Sequence, residues 1–434
     1  MEESNEDIGI GDCIVGLDIG TTKISVMIGR KNQYGKLEIL GTGRAVSIGV
    51  SRGIVANIDQ TVTSIKEAVE EAKQKSGIDI KEVYVGIAGQ HIKSLQHRGE
   101  IVRDNIEIEI EKSDIDKLKS NMFKLITIPG EEVIHVIPQE YTVDGEDGIQ
   151  DPKGMAGVKL EANFHVITAQ VGAVRNIMRC VEKAGLTPKE LVLEPFASAV
   201  ATLDDDEQRE GVALVDIGGG TTDVAIFLDN IIRHTAVIPF GGNVITKDIK
   251  SGLQILEKQA ELLKIKFGST MYTDDQENVM VSIPGLRGRE PKEIAVKNLS
   301  EIIGARMKEI IDLIYHEIKV SGYENKLMTG IVLTGGGSQI RNLKQLVAFV
   351  TGKETRIGYP NEHLGSESKD VVVSPMFSTG VGLVLKGFEY IENERPPKKV
   401  KETEEVALDA VGETDNGGII DKIKDWFTEE ENNY

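Results

Sequence analysis

Cysteine, an export signal and long apolar runs are scarce or missing in this sequence. The chain of 434 residues has only two cysteines, Cys13 and Cys180, both in or near apolar runs. We therefore expect buried thiols rather than a zinc site or a disulfide framework. The first twelve residues are polar and acidic, so no signal peptide is predicted. No stretch approaches the about 20 apolar residues of a membrane span, and we expect a cytosolic chain unless its end holds it elsewhere.

Positive charge is also in short supply. Lysine and arginine number 50 against 70 aspartates and glutamates, which gives a formal net charge of −20. Because no basic cluster is dense enough to release counterions from a phosphate backbone, we expect no nucleic-acid partner. Hydrophobic residues make up 40% of the chain, enough for a sizeable core, and the length fits about two to four domains.

What the sequence does contain is one turn motif written twice. "LDIGTTKISVMIG" (17–29) and "VDIGGGTTDVAIF" (215–227) each place an aspartate, glycines and threonines between two apolar runs that predict strands. Glycines let backbone N–H groups approach an anion closely, and threonine hydroxyls add donors. An aspartate would repel a phosphate unless a hydrated Mg²⁺ lay between them. Two such hairpins facing each other would clamp the β- and γ-phosphates of a nucleotide.

Commoner glycine motifs fit these turns less well. A Walker A loop opens a helix, whereas each turn here returns straight into a strand. A single D-x-G is most often an ordinary hairpin turn, but two copies in matching settings argue against coincidence. "TGGGS" (334–338) joins a strand to a helix, as in dinucleotide folds, yet no other feature of such folds accompanies it, so we expect an adenosine-side loop. Glu261 and Lys264 lie one helical turn apart, which also suits an ordinary surface ion pair.

The order of predicted elements is similar in the two halves. In the first half the pattern predicts three strands, a helix over 57–77 that is capped by Asp59, and a buried strand over 82–89. In the second half it predicts three strands followed by two long helices over 244–267 and 292–320. Between the halves, the looser pattern predicts a small inserted α+β unit.

Taken together, these segments resemble the motifs of actin-like ATPases, and most closely those of the FtsA family of bacterial cell-division proteins. "LEPFASAVA" (193–201), "VLTGGGS" (332–338) and "PMFSTGVGLV" (375–384) stand with the two turns in the family's order of phosphate, connecting, phosphate, adenosine and connecting motifs. "VYVGIAGQHIKS" and "VIPQEYTVDGEDGIQDPKGMAGVKLEA" are similar to stretches of FtsA rather than of MreB or DnaK-type chaperones. The insertion between Gly89 and Phe164 lies where FtsA carries its subdomain IC.

The resemblance implies an α/β, actin-like (ribonuclease-H-like) two-lobed fold with an inserted α+β subdomain and a disordered C-terminal linker ending in an amphipathic helix. The implied divisions are the lobe I core (IA) at 12–90 and 164–205, subdomain IC at 91–163, the lobe II core (IIA) at 209–242 and 326–390, a helical subdomain IIB at 243–325, a linker at 391–416 and a membrane-targeting helix at 417–428.

The resemblance also implies roles around ATP and Mg²⁺. Glu194 stands where relatives position the attacking water, although a glutamate before Pro195 also suits a plain helix start. Asp18 and Asp216 would orient waters of the Mg²⁺ ion. The residues implied to hold the phosphates are Gly20, Thr21, Thr22, Lys23, Gly218, Gly219, Gly220, Thr221 and Thr222. Those implied on the ribose and adenosine side are Glu261, Lys264, Gly335, Gly336, Gly337 and Ser338. Hydrolysis needs accurate water placement, so we expect ATP binding with weak or slow turnover.

The composition changes near the end of the chain. Residues 391–416 are highly charged with paired prolines, which is typical of a disordered linker. The segment that follows predicts a helix with one apolar face, formed by Ile419, Ile420, Ile423, Trp426 and Phe427. Such a face commonly docks on its own protein, but the linker and the resemblance favour the membrane interface. Acidic neighbours outnumber the two lysines, so we expect weak attraction to anionic lipid.

By resemblance, the chain is an ATP-binding, polymerising actin homologue that anchors the FtsZ ring to the inner face of the cytoplasmic membrane and recruits later division proteins. The FtsZ C-terminal peptide is implied to bind subdomain IIB, with candidate contacts at Arg287, Arg289 and Lys297. The alternatives are a PilM-type scaffold of pilus assembly, a small-molecule kinase of the same superfamily and a chaperone ATPase. We find no second-substrate motif for a kinase and no β-rich domain for a chaperone, and the insertion and tail disfavour PilM.

Overall fold

The first lobe begins with a hairpin of buried strands. The computed structural model describes residues 13–104, 108–124, 128–273, 278–285, 290–360, 363–365 and 372–394. Every residue of the first strand is buried, which explains its continuous apolar run. The first elements are β1 (Ile14–Ile19), β2 (Lys23–Lys31), β3 (Leu37–Val46), β4 (Val50–Ser51), β5 (Ile54–Val55), α1 (Ile58–Ser76) and β6 (Glu82–Ile87).

Helix α1 lies where the sequence predicts it, but its cap is a different residue. The side chain of Asn57 accepts a hydrogen bond from the backbone N–H of Gln60, so Asn57 and not Asp59 caps the helix. Asp59 lies in the first turn with a largely exposed side chain, where its charge suits the helix dipole. The helix ends as predicted at Gly77, which takes a left-handed conformation with φ of 72°.

The insert follows β6 and has its own sheet. Its elements are β7 (Ile92–Val102), α2 (Lys112–Phe123), β8 (Glu131–Val143), β9 (Glu146–Ile149) and β10 (Lys159–Gln170). The four strands are ordered β7-β10-β8-β9, and α2 packs against β7 and β8. Strand β10 serves two cores, because Phe164 is buried in the insert while Ile167 and Ala169 are buried in lobe I.

The chain then completes lobe I and passes to lobe II through a helix. The remaining elements of lobe I are α3 (Val171–Lys183), β11 (Thr187–Leu193) and α4 (Glu194–Thr202). They close a five-stranded sheet in the order β11-β6-β1-β2-β3, in which β1 is antiparallel to β2 and parallel to β6. The carboxyl ends of the parallel strands β1, β6 and β11 therefore meet at one edge of the sheet.

Lobe II repeats this plan with a second five-stranded sheet, ordered β14-β13-β12-β17-β18. Here β12 is antiparallel to β13 and parallel to β17. Its elements are α5 (Asp205–Glu210), β12 (Val212–Ile217), β13 (Thr222–Leu228), β14 (Ile231–Ile238), α6 (Gly242–Leu253), α7 (Glu257–Phe267), β15 (Met280–Ile283), β16 (Lys292–Ala295), α8 (Val296–Val320), β17 (Ile331–Thr334), α9 (Leu343–Thr351), β18 (Thr355–Ile357) and α10 (Ser378–Glu394).

Two helices of lobe II differ from the prediction. The helix expected over 244–267 is two helices, because Gln254 takes a left-handed conformation with φ of 50° and ends the first of them. Residues Lys292–Ala295, expected as the start of a helix, pair with Met280–Ile283 as a hairpin. Lysine, glutamate and alanine favour helix in isolation, but cross-strand pairing overrides that preference here.

Helices α4 and α10 cross where the two lobes join. A β-carbon added at Gly382 of α10 would lie 1.8 Å from the carbonyl oxygen of Ala197 in α4, so the helix backbones are in direct contact. Beside them, Ser198 of α4 and Thr379 of α10 lie 3.1 Å apart, oxygen to oxygen. These helices are the segments that the sequence identified as connecting motifs.

The insert also contacts the edge strand of lobe II. The Gln139 side-chain amide donates to the carbonyl of Ile232 at 2.7 Å, and the Arg233 guanidinium donates back to the carbonyl of Gln139 at 3.2 Å. His165 of β10 lies 3.2 Å from the Thr235 hydroxyl. The edge of the second sheet is thus covered, which protects an otherwise open row of backbone groups. Among the helices of the described ranges, none has the length and apolarity needed to cross a bilayer.

Candidate functional site

The two glycine-tipped hairpins, β1–β2 and β12–β13, face each other across the junction of the lobes. A β-carbon added at Gly219 would lie 2.7 Å from the Thr22 hydroxyl oxygen, and one at Gly220 would lie 2.5 Å from that of Thr21. Such distances are shorter than ordinary contacts, so only glycine fits at these positions. At the first tip, Gly20 lies between Asp18 and Lys23. The structure therefore brings together the two turns that the sequence proposed as a clamp.

The aspartates that end β1 and β12 lie beside these tips. The Asp18 carboxylate accepts a hydrogen bond from the Ser25 hydroxyl at 3.2 Å and lies 3.6 Å from the Lys23 ammonium. The Asp216 carboxylate accepts from the hydroxyls of Ser198 at 2.8 Å and Thr379 at 3.4 Å. Burial raises the pKa of Asp216, and the negative charge of Asp18 acts in the same direction. Sequence reasoning missed both hydroxyls because they belong to distant helices.

Glu194, the first residue of α4, lies with these aspartates. Burial raises the pKa of Glu194 well above its ordinary value, and the charges of Asp18, Asp223 and Asp216 raise it further. Its Cγ atom would lie 3.2 Å from a β-carbon at Gly86 in the neighbouring strand β6. A carboxylate that is partly buried among like charges accepts a proton more readily than an exposed one, which is what a catalytic base requires.

A fourth carboxyl, Asp223, was not singled out from the sequence. It lies directly opposite Asp216 in the β12–β13 pairing and is buried. Burial and the charge of Asp216 raise the pKa of Asp223 to about 8. The Thr221 hydroxyl donates a hydrogen bond to the Asp223 carboxylate at 3.3 Å, which acts to lower this pKa. Its Oδ1 atom is buried without a hydrogen-bond partner among the described residues. The second aspartate of "DIGGGTTDV" was the available signal, but it falls inside a strand.

This set of carboxyls fits a hydrated divalent cation better than a directly bound one. The Lys23 ammonium acts on three of the four carboxyls, those of Asp18, Asp216 and Glu194, and Oδ1 of the fourth, Asp223, has no hydrogen-bond partner within the described ranges. Across the described part of the chain, however, no three histidine, cysteine, aspartate or glutamate side chains are grouped closely enough to hold a metal ion. Contact with Mg²⁺ through water stays a prediction for Asp18 and Asp216.

The raised pKa of Asp223 predicts a pH-dependent stability when Mg²⁺ and nucleotide are absent. The pKa is about 8 when folded against 3.8 ordinarily. Between these values the folded chain keeps a proton that the unfolded chain releases, so this group lowers stability as pH rises, by at most about 1.4 kcal/mol per pH unit. Asp223→Asn, which cannot ionise, should show a flatter fall in the free energy of unfolding, measured with urea between pH 6.5 and 8.

Buried histidines have the opposite effect, and both chains share it. Burial lowers the pKa of His91, His135 and His165 to about 4, so these groups stabilise the fold as pH rises through 6.5, equally in the wild type and in Asp223→Asn, and their contribution cancels in the comparison. If the free energy of unfolding falls with the same slope above pH 6.5 in the wild type and in Asp223→Asn, Asp223 ionises as freely in the folded chain as in the unfolded one.

Lys23 connects the first tip to the segment before α10. Its ammonium donates to the backbone carbonyl of Met376 at 2.5 Å and lies 5.5 Å from the ring centroid of Phe377. The Lys23 ammonium is held between Asp18 and this segment and so lies beside the first tip, where the sequence predicts a side chain that binds phosphate. The segment from Pro375 to Phe377 is a short 3-10 turn that leads into α10.

The Glu261–Lys264 pair is linked to the second tip. The Lys264 ammonium lies 2.7 Å from the Glu261 carboxylate and donates to the carbonyl of Gly242 at 3.0 Å. The backbone N–H of Gly242 in turn donates to the carbonyl of Gly218 at 2.9 Å. The side chain of Thr246 lies between the two charged groups and bonds to both. The pair is therefore more than an isolated surface ion pair, while its contact with ribose stays a prediction.

The third glycine loop packs against the end of β12. Gly335 has φ of 81°, and a β-carbon there would lie 2.2 Å from Asp216 Oδ1. One at Gly337 would lie 2.3 Å from the Ile217 side chain, whereas nothing lies within 4 Å of the corresponding position at Gly336. The buried Ser338 hydroxyl closes the turn by donating to the carbonyl of Gly335 at 2.7 Å. This loop thus joins the same site, with one open position at Gly336.

Of the remaining predicted residues, Lys297 is the one within the described ranges. The Lys297 ammonium, near the start of α8, lies 5.0 Å above the ring of Tyr272. Arg287 and Arg289 lie outside the described residues, as do the predicted linker beyond residue 394 and the five apolar residues of the predicted tail helix, Ile419, Ile420, Ile423, Trp426 and Phe427.

The chain is also similar to known structures at the level of the fold. The PilM–PilN type IV pilus biogenesis complex aligns with a TM-score of 0.63 at 18% identity, covering 86% of this chain and 98% of the other. MreB5 of Spiroplasma citri bound to ADP aligns with a TM-score of 0.52 at 14% identity, covering 89% of this chain and 100% of the other. These neighbours and the paired sheets confirm the predicted actin-like α/β fold.

Sequence comparisons identify the family. The family model described as cell division protein FtsA matches residues 213–382, and the SHS2 domain inserted in FtsA matches residues 89–168. The cell division protein FtsA of Pseudomonas aeruginosa is 40% identical over 381 residues, which are 87% of this chain and 90% of that protein. That of Neisseria meningitidis is 36% identical over 414 residues, 95% of this chain and 97% of that protein. The chain therefore belongs to the FtsA family of cell division proteins, with an actin-like fold and the SHS2 insertion of that family.

Proposed function

We propose that this chain binds Mg·ATP between its two hairpin tips, polymerises, and anchors the FtsZ ring to the inner face of the cytoplasmic membrane at the division site. There it recruits later division proteins, for which the insert is a suitable platform. The observation that carries the nucleotide site is the opposition of Gly219 and Gly220 to Thr22 and Thr21, with Asp18 and Asp216 beside them. Family membership carries the role in division.

Each group at the clamp suits one part of the nucleotide. The backbone N–H groups of both tips and the hydroxyls of Thr21, Thr22 and Thr221 donate to phosphate oxygens, and Lys23 adds a positive charge. Mg²⁺, when bound, neutralises phosphate charge and is held through water by Asp18 and Asp216. Two solved neighbours, MreB5 bound to ADP and to AMPPNP, carry nucleotides on the same fold. The ribose faces Glu261 and Lys264, and the adenosine faces 335–338.

Glu194 is the residue we propose to position and deprotonate the attacking water. Its raised pKa makes the carboxylate a stronger proton acceptor than an exposed glutamate. The same raised pKa means that a larger share of this carboxyl is protonated at a given pH than of an exposed glutamate, and a protonated carboxyl cannot accept a proton. We therefore expect slow turnover, with binding rather than hydrolysis as the main role of the nucleotide.

The apolar face of the tail helix is the proposed membrane anchor. Five partly inserted apolar side chains contribute about 5 kcal/mol, which corresponds to roughly millimolar affinity for one copy. The acidic residues around the two lysines add little attraction to anionic lipid. Stable attachment therefore needs many copies held together, and a filament of this chain provides them.

The proposed docking site for the FtsZ C-terminal peptide is subdomain IIB, taken as residues 243–325. Within it, the stretch 285–297 contains Arg287, Arg289 and Lys297 and has four basic against two acidic side chains, in a chain whose net charge is −20. Acidic groups of a peptide would be drawn to such a local excess of positive charge. The proposed divisions into IA, IC, IIA and IIB keep the boundaries expected from the sequence.

The experiment that tests this function is co-flotation of FtsZ with lipid vesicles. We expect FtsZ to float with vesicles only when the full-length chain and Mg·ATP are present. FtsZ that lacks its C-terminal peptide should stay in the unfloated fraction, although this chain still floats. A chain truncated after Tyr390 should leave both proteins unfloated, because the linker and the apolar face are removed together.

The truncated chain tests the membrane contact, and FtsZ without its C-terminal peptide tests the FtsZ contact. Flotation of the truncated chain at the level of the full-length chain would remove the tail from the membrane role. Flotation of FtsZ regardless of its C-terminal peptide would contradict the proposed peptide contact on subdomain IIB.

A further inference from the structure

The short hairpin β4–β5 lies against the first phosphate-binding tip. Val50 pairs with Val55, and Arg52 and Gly53 form the turn with φ of 50° and 74°. The backbone N–H of Gly53 donates to the Thr21 hydroxyl oxygen at 3.1 Å. Because that oxygen accepts this bond, the hydroxyl hydrogen of Thr21 is left to be donated elsewhere.

The other side of this hairpin is fixed by the segment after β6. A β-carbon at Gly53 would lie 2.5 Å from the carbonyl oxygen of Ala88, and one at Gly89 would lie 2.9 Å from that of Arg52. Since β6 runs parallel to β1, its carboxyl end lies on the same sheet edge as Asp18. The tip of β4–β5 is therefore held at the edge of the sheet where the carboxyls of the site gather.

A buried histidine supports the hairpin from beneath. His91 is 1% exposed, and neither of its ring nitrogens has a hydrogen-bond partner within the described part of the chain. Its Nδ1 atom would lie 3.1 Å from a β-carbon at Gly89, the residue that contacts Arg52 and Gly53. Burial lowers the pKa of His91 to about 4, so the ring is neutral and adds no positive charge of its own.

Arg52 is the charged group that this arrangement presents. It is exposed, and its guanidinium has no ion pair or hydrogen bond with any residue of the described ranges. A residue other than glycine, such as Arg52, costs energy at positive φ, and residues in such conformations are enriched at functional sites. In the described part of the site, Lys23 is the cation that acts on the carboxyls of Asp18, Asp216 and Glu194. A triphosphate would add further negative charge, which favours a second cation at this edge.

We propose that Arg52 binds the terminal phosphate of a nucleoside triphosphate held at the first tip, and that the Gly53 N–H orients the Thr21 hydroxyl to donate to the same phosphate. This inference rests on the proposed nucleotide site and adds to it a residue that distinguishes triphosphate from diphosphate. Loss of the terminal phosphate removes the partner of Arg52, so the β4–β5 hairpin reports which nucleotide is bound.

The test measures the affinities of the full-length chain for Mg·ATP and Mg·ADP by calorimetry. Arg52→Gly removes the charge while keeping the turn, because glycine accepts positive φ. We expect it to weaken ATP binding at least about tenfold and ADP binding by less than about twofold, as for loss of one charge-assisted hydrogen bond. Arg52→Lys should recover part of the ATP affinity. The control is Arg209→Gln in α5, at the opposite end of β12 from Asp216, which should change neither affinity.

The possible results are distinct. Equal weakening of ATP and ADP by Arg52→Gly would make the hairpin a structural support and overturn the inference, as would unchanged affinity for ATP. If the wild-type chain binds neither nucleotide, the proposed nucleotide site itself is wrong and this inference falls with it.

Discussion

Replacing Gly220 with valine should lower the affinity for Mg·ATP at least about 100-fold, since the two halves of the proposed phosphate clamp can no longer face each other. The first added carbon alone would lie 2.5 Å from the Thr21 hydroxyl oxygen and 2.9 Å from the Thr21 Cβ. The Thr21 Cβ does not move when the side chain rotates, so rotation cannot relieve this contact and the two tips must separate. The affinity can be measured by calorimetry with Mg·ATP.

The matched control is Gly172→Ala in α3. Nothing lies within 4 Å of the β-carbon position of Gly172, and its φ is not positive, so affinity for Mg·ATP should equal that of the wild type. Retention of wild-type affinity by Gly220→Val would mean that the tips do not enclose the phosphates. Circular dichroism of both variants separates a lost site from a lost fold, because Gly220 lies on an intermediate-exposure turn rather than in a core cluster.

The second large effect is expected at the crossing of α4 and α10. In Gly382→Ala the new β-carbon would lie 1.8 Å from the carbonyl oxygen and 2.2 Å from the carbonyl carbon of Ala197. Both are backbone atoms, so no side-chain rotation relieves the clash and the helices must move apart. We expect a loss of about 3 kcal/mol or more in stability, seen as a lower melting temperature or as insoluble protein. Because α4 and α10 carry the hydroxyls of Ser198 and Thr379, the soluble fraction should also bind Mg·ATP weakly.

The same helix offers a matched control at Gly380. A β-carbon there would lie 3.3 Å from the end of the Met27 side chain, which is flexible enough to shift. Gly380→Ala should therefore melt within about 2 °C of the wild type. Similar melting temperatures for Gly380→Ala and Gly382→Ala would contradict the direct helix contact.

The strand–turn–strand pairs are the part of the fold most visible in the sequence. Their apolar runs are continuous because β1, β2, β12 and β13 are covered on both faces, and glycine marks each turn between them. Helix 58–76 was equally clear, although its cap was assigned to Asp59 instead of Asn57. The local pattern could not decide that Lys292–Ala295 pairs as a strand, since the pairing depends on Met280–Ile283, a separate segment earlier in the chain.

The candidate site shows the same division between local and distant information. The residues of each tip follow one another in the chain, so their grouping is visible in the motif itself. The hydrogen bonds to Asp216 come from Ser198 and Thr379, on helices brought together only by the fold. Asp223 was overlooked because strand residues that alternate with apolar neighbours usually face solvent. Its burial depends on the packing of the second lobe around β13.

Strand β10 has a consequence for how the insert can behave. One end of the strand supplies Phe164 to the interior of the insert, and the other supplies Ile167 and Ala169 to that of lobe I. The pairing of β10 with β7 runs from Lys159 to Ala169 without a register shift, so the insert and lobe I share one hydrogen-bonded ladder and we expect them to open together in amide exchange rather than independently. A protein that binds the insert would therefore also slow amide exchange in the interior of lobe I, where it makes no contact.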